Sequence, residues 1–351
     1  MKFQLSTFKT RIKKAMIENY TSYKNGVLRT IFRSAIKNQS IVVILNSEEA
    51  KKIFDFNMYS LKINKLLLVY NESLLDRIYL YLFYLLSKLH IPNQNNYKEI
   101  TIVYANSMNP YFVQCLRYKF KNANIILRYY DYYNKDSLNS FLIKIKDLEL
   151  HKETYCRFNA EQNGLRYMPN FVDTEHLKYV AKPKSPKRVV FFGTVNNRRA
   201  EIILKMARFL QESNIEYVFY CFRLSAAQRK TADEITANSN NIIYNKRISY
   251  KEYLDVSTDA SCIIDLYRLN KDEGISYRIP EAVFLGQKII TDRENIVNEP
   301  FYNPNNILVI NNDEERMINF LNSPCEHYKN TDSLTLEHWL SVNNILRGDT
   351  Q

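Results

Sequence analysis

The chain has 351 residues, of which 46% are hydrophobic and 25% charged, and its formal net charge is +12. That length is past the size at which one core keeps growing, so two domains are expected, and the composition is that of a water-soluble globular protein with no stretch of the roughly 20 apolar residues that span a membrane. No charged segment leads into an apolar one at the start, so no signal peptide is expected and a cytoplasmic location is; the positive charge calls for an anionic partner, whether nucleic acid, anionic lipid or a phosphorylated substrate.

In chain order, the first 37 residues hold Lys2, Lys9, Arg11, Lys13, Lys14, Lys24, Arg29, Arg33 and Lys37 against the single acid Glu18, interleaved with Phe3, Leu5, Phe8, Ile12, Met16 and Ile17. Such a segment suits an anionic membrane surface, where each nearby cation contributes on the order of 1 kcal/mol, and it equally suits a solvated helix face with a first core helix. Strands are predicted at 40–46, 65–70, 100–104 and 124–130, with helices at 48–54, 72–90 and 110–120 between them. Alternation of strand and helix predicts a parallel sheet covered by helices. Short strand-like pieces follow at 154–156 and 165–169. The basic, proline-containing stretch 179–188 is read as the linker.

A second unit opens with the strand 188–194, the helix 199–211 and the strand 216–221. Strands at 241–244, 262–266, 288–291 and 307–310 complete a second doubly wound sheet, and 334–346 is predicted as a helix that crosses back to the first domain. The boundaries are therefore 1–180 for a first domain, 188–330 for a second and 331–351 for the returning helix. Cys115, Cys156, Cys221, Cys262 and Cys325 are odd in number and never spaced Cys-x-x-Cys, which argues against a disulfide framework and a zinc site. The five histidines show no metal-ligand spacing, so neither metal nor cofactor is expected.

Two doubly wound domains joined by one linker predict a cleft between the carboxyl ends of both sheets, where such sheets bind ligands. Two loops carry the chemistry. Gly193-Thr194-Val195-Asn196-Asn197-Arg198-Arg199 joins a strand to a helix and aims free backbone donors at the cleft, with Arg198 or Arg199 placed to hold a diphosphate and Gly193 supplying backbone freedom. The chain has only six glycines, which excludes a glycine-rich phosphate cradle. The second loop, Asp272 to Ala282, places Glu273 and Glu281 around Ser276, Tyr277 and Arg278. Carboxylates suit sugar and ribose hydroxyls: Glu281 for a ribose diol and Glu273 for the sugar. Arg278 with the Ser276 hydroxyl suits phosphates, and charge-assisted bonds of this kind are each worth about 1.5–3 kcal/mol. The same residues also suit a plain helix start, with Glu281 capping backbone donors and Arg278 paired to Glu273.

Four stretches, 155–169, 191–199, 273–291 and 301–307, together make the second half of the chain resemble bacterial glycosyltransferases of the GT-B fold, of the lipopolysaccharide, O-antigen or capsule type. Glu273 and Glu281 are similar to the family's Glu-x7-Glu signature, with Tyr277-Arg278 standing where an aliphatic residue is usual. The resemblance implies two Rossmann-like domains facing a central cleft, 1–180 on the acceptor side and 188–330 binding the nucleotide sugar, and transfer of a sugar, of the hexosyltransferase class, from a nucleotide sugar to a lipid-linked glycan. It also implies a metal-independent enzyme, peripheral on the inner membrane. The sequence contains no Asp-x-Asp, so Arg199, Arg223, Lys246 and Arg278 are the candidates for stabilising the leaving diphosphate. Glu273, Arg278, Arg199 and Asp131 are the implied catalytic residues, Asp131 acting as base if the enzyme inverts. Gly193, Thr194, Arg198, Arg223, Lys246, Ser276, Tyr277 and Glu281 are the implied donor-binding residues.

A sugar-nucleotide epimerase of the same fold is the alternative, disfavoured by the few histidines and the basic start. A nucleic-acid-binding protein is a further one, but most of the 27 tyrosines fall inside predicted elements and no RNA-binding signature is present, so no nucleic-acid partner is expected.

Overall fold

The structure is a computed structural model that describes residues 17–20, 41–46, 57–61, 99–105, 113, 117, 124–129, 135–172, 174–177, 188–236, 241–244, 246, 248, 250–268, 273–310 and 313–343. The chain divides into two units, Met1–Pro169 with Glu337–Gln351, and Asn170–Leu336. The first boundary lies upstream of the expected 179–188 linker because 170–172 belong to the second unit. There Asn170 Nδ2 donates to the Ile275 carbonyl at 2.8 Å, and Val172 N donates to the Leu334 carbonyl at 2.9 Å.

In the first unit, β1 (Ile17–Tyr20), β2 (Ile41–Asn46), β3 (Asn57–Leu61), β4 (Glu99–Ala105) and β5 (Asn124–Tyr129) precede α1 (Lys135–Lys144), β6 (His151–Thr154), α2 (Arg157–Asn163) and β7 (Arg166–Tyr167). The strand order is β1-β3-β2-β4-β5-β6-β7. From β4 to β7 the neighbours are parallel, as expected, whereas β1–β3, β2–β3 and β2–β4 are antiparallel. For β2–β3 the physical reason is the connection length: residues 47–56 are fewer than the dozen or so a parallel crossover needs. The expected strand at 65–70 and helices at 48–54 and 72–90 lie outside the described residues. β5 is buried from Ile125 to Tyr129, as a strand covered on both faces must be. Gly164, with φ 61°, ends α2 by a left-handed turn, and the next amide, Leu165 N, returns to the Ala160 carbonyl.

The second unit contains α3 (Thr174–Leu177), β8 (Val189–Thr194), α4 (Asn197–Glu212), β9 (Tyr217–Phe222), α5 (Ala226–Thr236), β10 (Ile242–Tyr244), α6 (Tyr250–Thr258), β11 (Cys262–Asp265), α7 (Arg278–Leu285), β12 (Lys288–Thr291), β13 (Ile307–Val309) and α8 (Glu314–Asn322). All its strand pairs are parallel, in the order β10-β9-β8-β11-β12-β13. Alternate residues of β8 face opposite cores. Val189 and Phe191 pack with Ile203, Met206 and Leu210 of α4, while Val190 and Phe192 pack with Ile279 and Val283 of α7. Asn196 caps α4 by accepting from Arg199 N at 2.9 Å. Buried Lys288 donates from Nζ to the Phe320 carbonyl and to Ser323 Oγ at the end of α8, placing a cation where the helix dipole is negative.

The last described helix, α9 (Leu336–Val342), runs into the first unit, where Trp339 is fully buried. Among the described residues no helix is long and apolar enough to cross a membrane.

Candidate functional site

The strand order of the second unit reverses between β8 and β11, which makes the carboxyl ends of these two strands its topological switch point, the position where doubly wound sheets bind ligands. Both loops singled out from the sequence leave the sheet at this edge. β11 ends in Asp265, a fully buried carboxylate after three buried apolar residues. A charge in that position needs partners, and it has three. Arg293 Nε donates to Oδ2 at 2.9 Å, Arg278 Nη1 to Oδ1 at 3.1 Å and the Ser276 hydroxyl to Oδ1 at 2.6 Å. Burial pushes the Asp265 carboxyl up, but the charges of Arg293 and then Arg278 reverse this and hold it below its ordinary range.

Ser276 Oγ also accepts from Arg278 N at 3.2 Å, so one hydroxyl ties the start of α7 to the end of β11. α7 begins at Arg278. Pro280 is tolerated because the first turn of a helix has no use for its missing N–H, and Gly286, with φ 68°, ends the helix. Ile275 and Ile279, both buried, seat the loop and the helix on the core.

Across the switch point lies Arg199. Its Nε donates to the Tyr267 carbonyl at 2.9 Å, Nη1 to the Thr194 carbonyl at 2.7 Å and Nη2 to the Leu266 carbonyl. Burial first, and then the positive charge of Arg278, bring its pKa down to about 10. Arg199, expected from sequence to stabilise a leaving diphosphate, has its guanidinium bound to backbone carbonyls, which ties the end of β8 to the end of β11. Gly193 is also corrected. Its backbone needs no left-handed conformation; it is small because a Cβ there would come within 3.0 Å of Phe191 Cζ and 3.5 Å of Arg199 Nη1.

The other expected residues are placed as follows. Arg198 pairs with Asp292 and lies over the Tyr267 ring, 3.5 Å from its centroid, while Asp292 Oδ1 accepts from Tyr267 N at 2.9 Å. Glu273 is buried and accepts from Arg268 N at 2.8 Å; the alternative pairing with Arg278 is not formed, because Arg278 takes Asp265. Glu281, only 1% exposed, accepts from the Tyr253 hydroxyl at 2.6 Å, so the structure gives it an internal partner in place of an open one. Thr194 and Tyr277 are half-buried at this edge. Arg223 is exposed at the end of β9 with φ 73°, unusual for a side-chain-bearing residue. Lys246 is exposed and 4.0 Å from Glu252 Oε1. Asp131 lies outside the described residues.

Sequence reasoning missed Asp265, Arg293, Asp292, Tyr253 and Tyr267. A signal was present for the first three, since a carboxylate closing the apolar strand Cys262-Ile263-Ile264-Asp265, and Asp292-Arg293 just after Thr291, put charge at strand carboxyl ends. Among the described residues no group of three His, Cys, Asp or Glu side chains is arranged to hold a metal ion.

No protein-family model matches the chain, and no curated protein matches it in sequence. Among solved structures it is similar to a glycosyltransferase from Rickettsia africae, at 13% identity and TM-score 0.51, over 79% of this chain and 82% of the other. It is also similar to the N-terminal domain of trehalose-6-phosphate phosphatase from Candida albicans, at 13% identity and TM-score 0.52, over 77% and 73% of the two chains. With the observed topology, these likenesses give the fold: two Rossmann-like α/β units of the GT-B class.

Proposed function

We propose that this chain is a glycosyltransferase that takes a sugar from a nucleotide-sugar donor and passes it to a lipid-linked glycan acceptor in bacterial surface polysaccharide assembly, working from the cytoplasmic side with its basic N-terminal segment on the inner membrane. The observation that supports this reading best is Arg278, one-quarter exposed at the carboxyl edge of a Rossmann-like sheet and bound to the strand-end carboxylate Asp265. Breaking a glycosyl-phosphate bond leaves negative charge on the departing diphosphate, and a fixed guanidinium at that point stabilises the charge as it develops. The first amides of α4 follow the neighbouring strand β8, and Arg223 follows β9, along the carboxyl edge of the same sheet. Glu273 and Glu281 act in this reading from buried positions, Glu273 by shaping the loop through Arg268 N and Glu281 by orienting Tyr253. The finer assignments, a hexosyl donor and a reaction that needs no metal, follow the sequence resemblance.

The test is a calorimetric and thermal-shift screen against UDP, GDP, CDP, dTDP and their sugars with EDTA present, comparing the wild type with Arg278→Gln. A ligand at a hundredfold excess over Kd stabilises by about 2.7 kcal/mol, which such a screen detects. One responding nucleotide whose effect is lost in the variant supports the reading and names the donor class. A protein that binds none, with or without lipid-linked acceptor, rules it out.

A further inference from the structure

Four guanidinium groups gather at the switch point, and they are engaged to different degrees. Arg199 has Nε, Nη1 and Nη2 all on backbone carbonyls. Arg293 is 3% exposed, with Nε on Asp265 and Nη1 on the Glu273 carbonyl at 3.0 Å. Arg198 is paired to Asp292. Arg278 alone of the four has only Nη1 engaged, while its Nε and Nη2 have no partner among the described residues and the side chain is 25% exposed. Nε and Nη2 form the side-on fork of a guanidinium, the edge that matches two oxygens of one phosphate.

We infer that Asp265 is the positioning residue of the donor site: by holding Arg278 through Nη1 it presents the Nε/Nη2 fork to a phosphate of a nucleoside diphosphate. The inference rests on the donor reading above and adds to it a residue that never meets the ligand. The carboxylate is suited to this role because it is itself immobile. Arg293 neutralises its other oxygen from a buried position, and Ser276, hydrogen-bonded both to Oδ1 and to Arg278 N, keeps the start of α7 in register with the strand end. An arginine left without this anchor would sample several rotamers and lose the entropy of ordering on binding. Asp265 thus acts on the phosphate contact and not on the contacts made to the nucleoside.

That difference gives the test. Dissociation constants for UDP, GDP, CDP and dTDP are measured beside those for uridine, guanosine, cytidine and thymidine, in the wild type, Asp265→Asn, Arg278→Gln and the double variant. The expected result is that Asp265→Asn weakens the responding diphosphate by about tenfold or more, leaves its nucleoside unchanged, and has no further effect once Arg278 is Gln. Because Asp265→Asn leaves Arg293 buried without its carboxylate, Asp265→Asn with Arg293→Gln serves as a second variant that removes both buried charges together, and Arg278→Lys keeps the charge but removes the fork. Equal losses for diphosphate and nucleoside, an unchanged diphosphate affinity in either Asp265 variant, or the same loss in the Arg278→Gln background would each overturn the inference while leaving the donor reading standing. Absence of any diphosphate binding to the wild type would overturn both.

Discussion

Trp339 Nε1 donates to Glu153 Oε1 at 2.7 Å, a bond between residues 186 positions apart. The same carboxylate takes Arg128 Nη1 at 2.6 Å and Arg166 Nη2 at 2.7 Å, and Arg128 continues to the Pro169 carbonyl at 2.9 Å. A fully buried carboxylate is tolerable only when it is surrounded in this way, so the returning helix α9 completes the first unit instead of decorating it. Trp339→Phe keeps the ring and removes the donor. The expected loss is about 2 kcal/mol of stability, read as a lower urea midpoint with an unchanged slope.

The two buried carboxylates set the response to acid. Burial raises the pKa of both Glu153 and Asp265, but Arg128 and Trp339 for the first, and Arg293 and Arg278 for the second, hold them below their ordinary values of 4.5 and 3.8. A folded-state pKa below the unfolded one gives stability that is fully present above the unfolded value and lost as pH falls through the folded value. Urea midpoints should therefore stay level from pH about 7 to 5 and drop steeply below about 4. Glu153→Gln should be less stable than the wild type at neutral pH and show a shallower acid slope; an unchanged slope would show that Glu153 does not contribute to it.

Thiol labelling follows from burial. Burial pushes the Cys221 thiol up to about 12 and the Cys262 thiol higher still, while half-buried Cys325 is pushed up to about 11. Since the thiolate is the reactive form, iodoacetamide at pH about 8 should label Cys325 slowly and leave Cys221 and Cys262 untouched until denaturant is added. Peptide mass spectrometry of the native and unfolded protein measures this site by site.

Gly193→Ala probes the close packing under the switch point. The added methyl meets Phe191 Cζ at 3.0 Å, so the ring must give way slightly, while Arg199 Nη1 at 3.5 Å is in ordinary van der Waals contact. Overpacking of this kind costs about 1–3 kcal/mol, and the thermal midpoint should fall accordingly. Wild-type stability in this variant would mean that Phe191 moves aside freely.

The basic start of the chain gives a membrane prediction. Deleting residues 1–16 removes Lys2, Lys9, Arg11, Lys13 and Lys14 but spares β1, which pairs with β3. Co-sedimentation with vesicles rich in anionic lipid should fall, while binding to neutral vesicles should stay low in both proteins. Equal binding to anionic vesicles before and after the deletion would exclude this segment as the attachment point.

The second unit was readable from sequence because its strands are short apolar runs buried on both faces and separated by helices long enough for parallel crossovers. β8, β9, β11, β12 and β13 all fall within a residue or so of expectation. The first unit was less so: Asn57–Leu61 carries no strand-like apolar run, and only the shortness of 47–56 hints that it turns back antiparallel. At the site, sequence picked the right loops and misassigned individual side chains. Arg199 and Arg198 look alike on paper, and which one is buried under carbonyls depends on where Leu266 and Tyr267 lie after β11. Asp265 looked like the last residue of a strand because its partners, Ser276, Arg278 and Arg293, come from a loop, a helix start and the next strand's end.

The first unit is discontinuous, and this bears on how the protein matures on the ribosome. Synthesis delivers residues 1–169 first, then all of 170–336, and only afterwards Trp339. Until α9 emerges, Glu153 lacks the indole donor that helps to satisfy it inside the core. The second unit, continuous in sequence, can close while the first still waits for its last helix. Nascent chains usually mature from the amino end; here the order of completion is inverted, and the earliest-made half is the one exposed longest to chaperones and proteases.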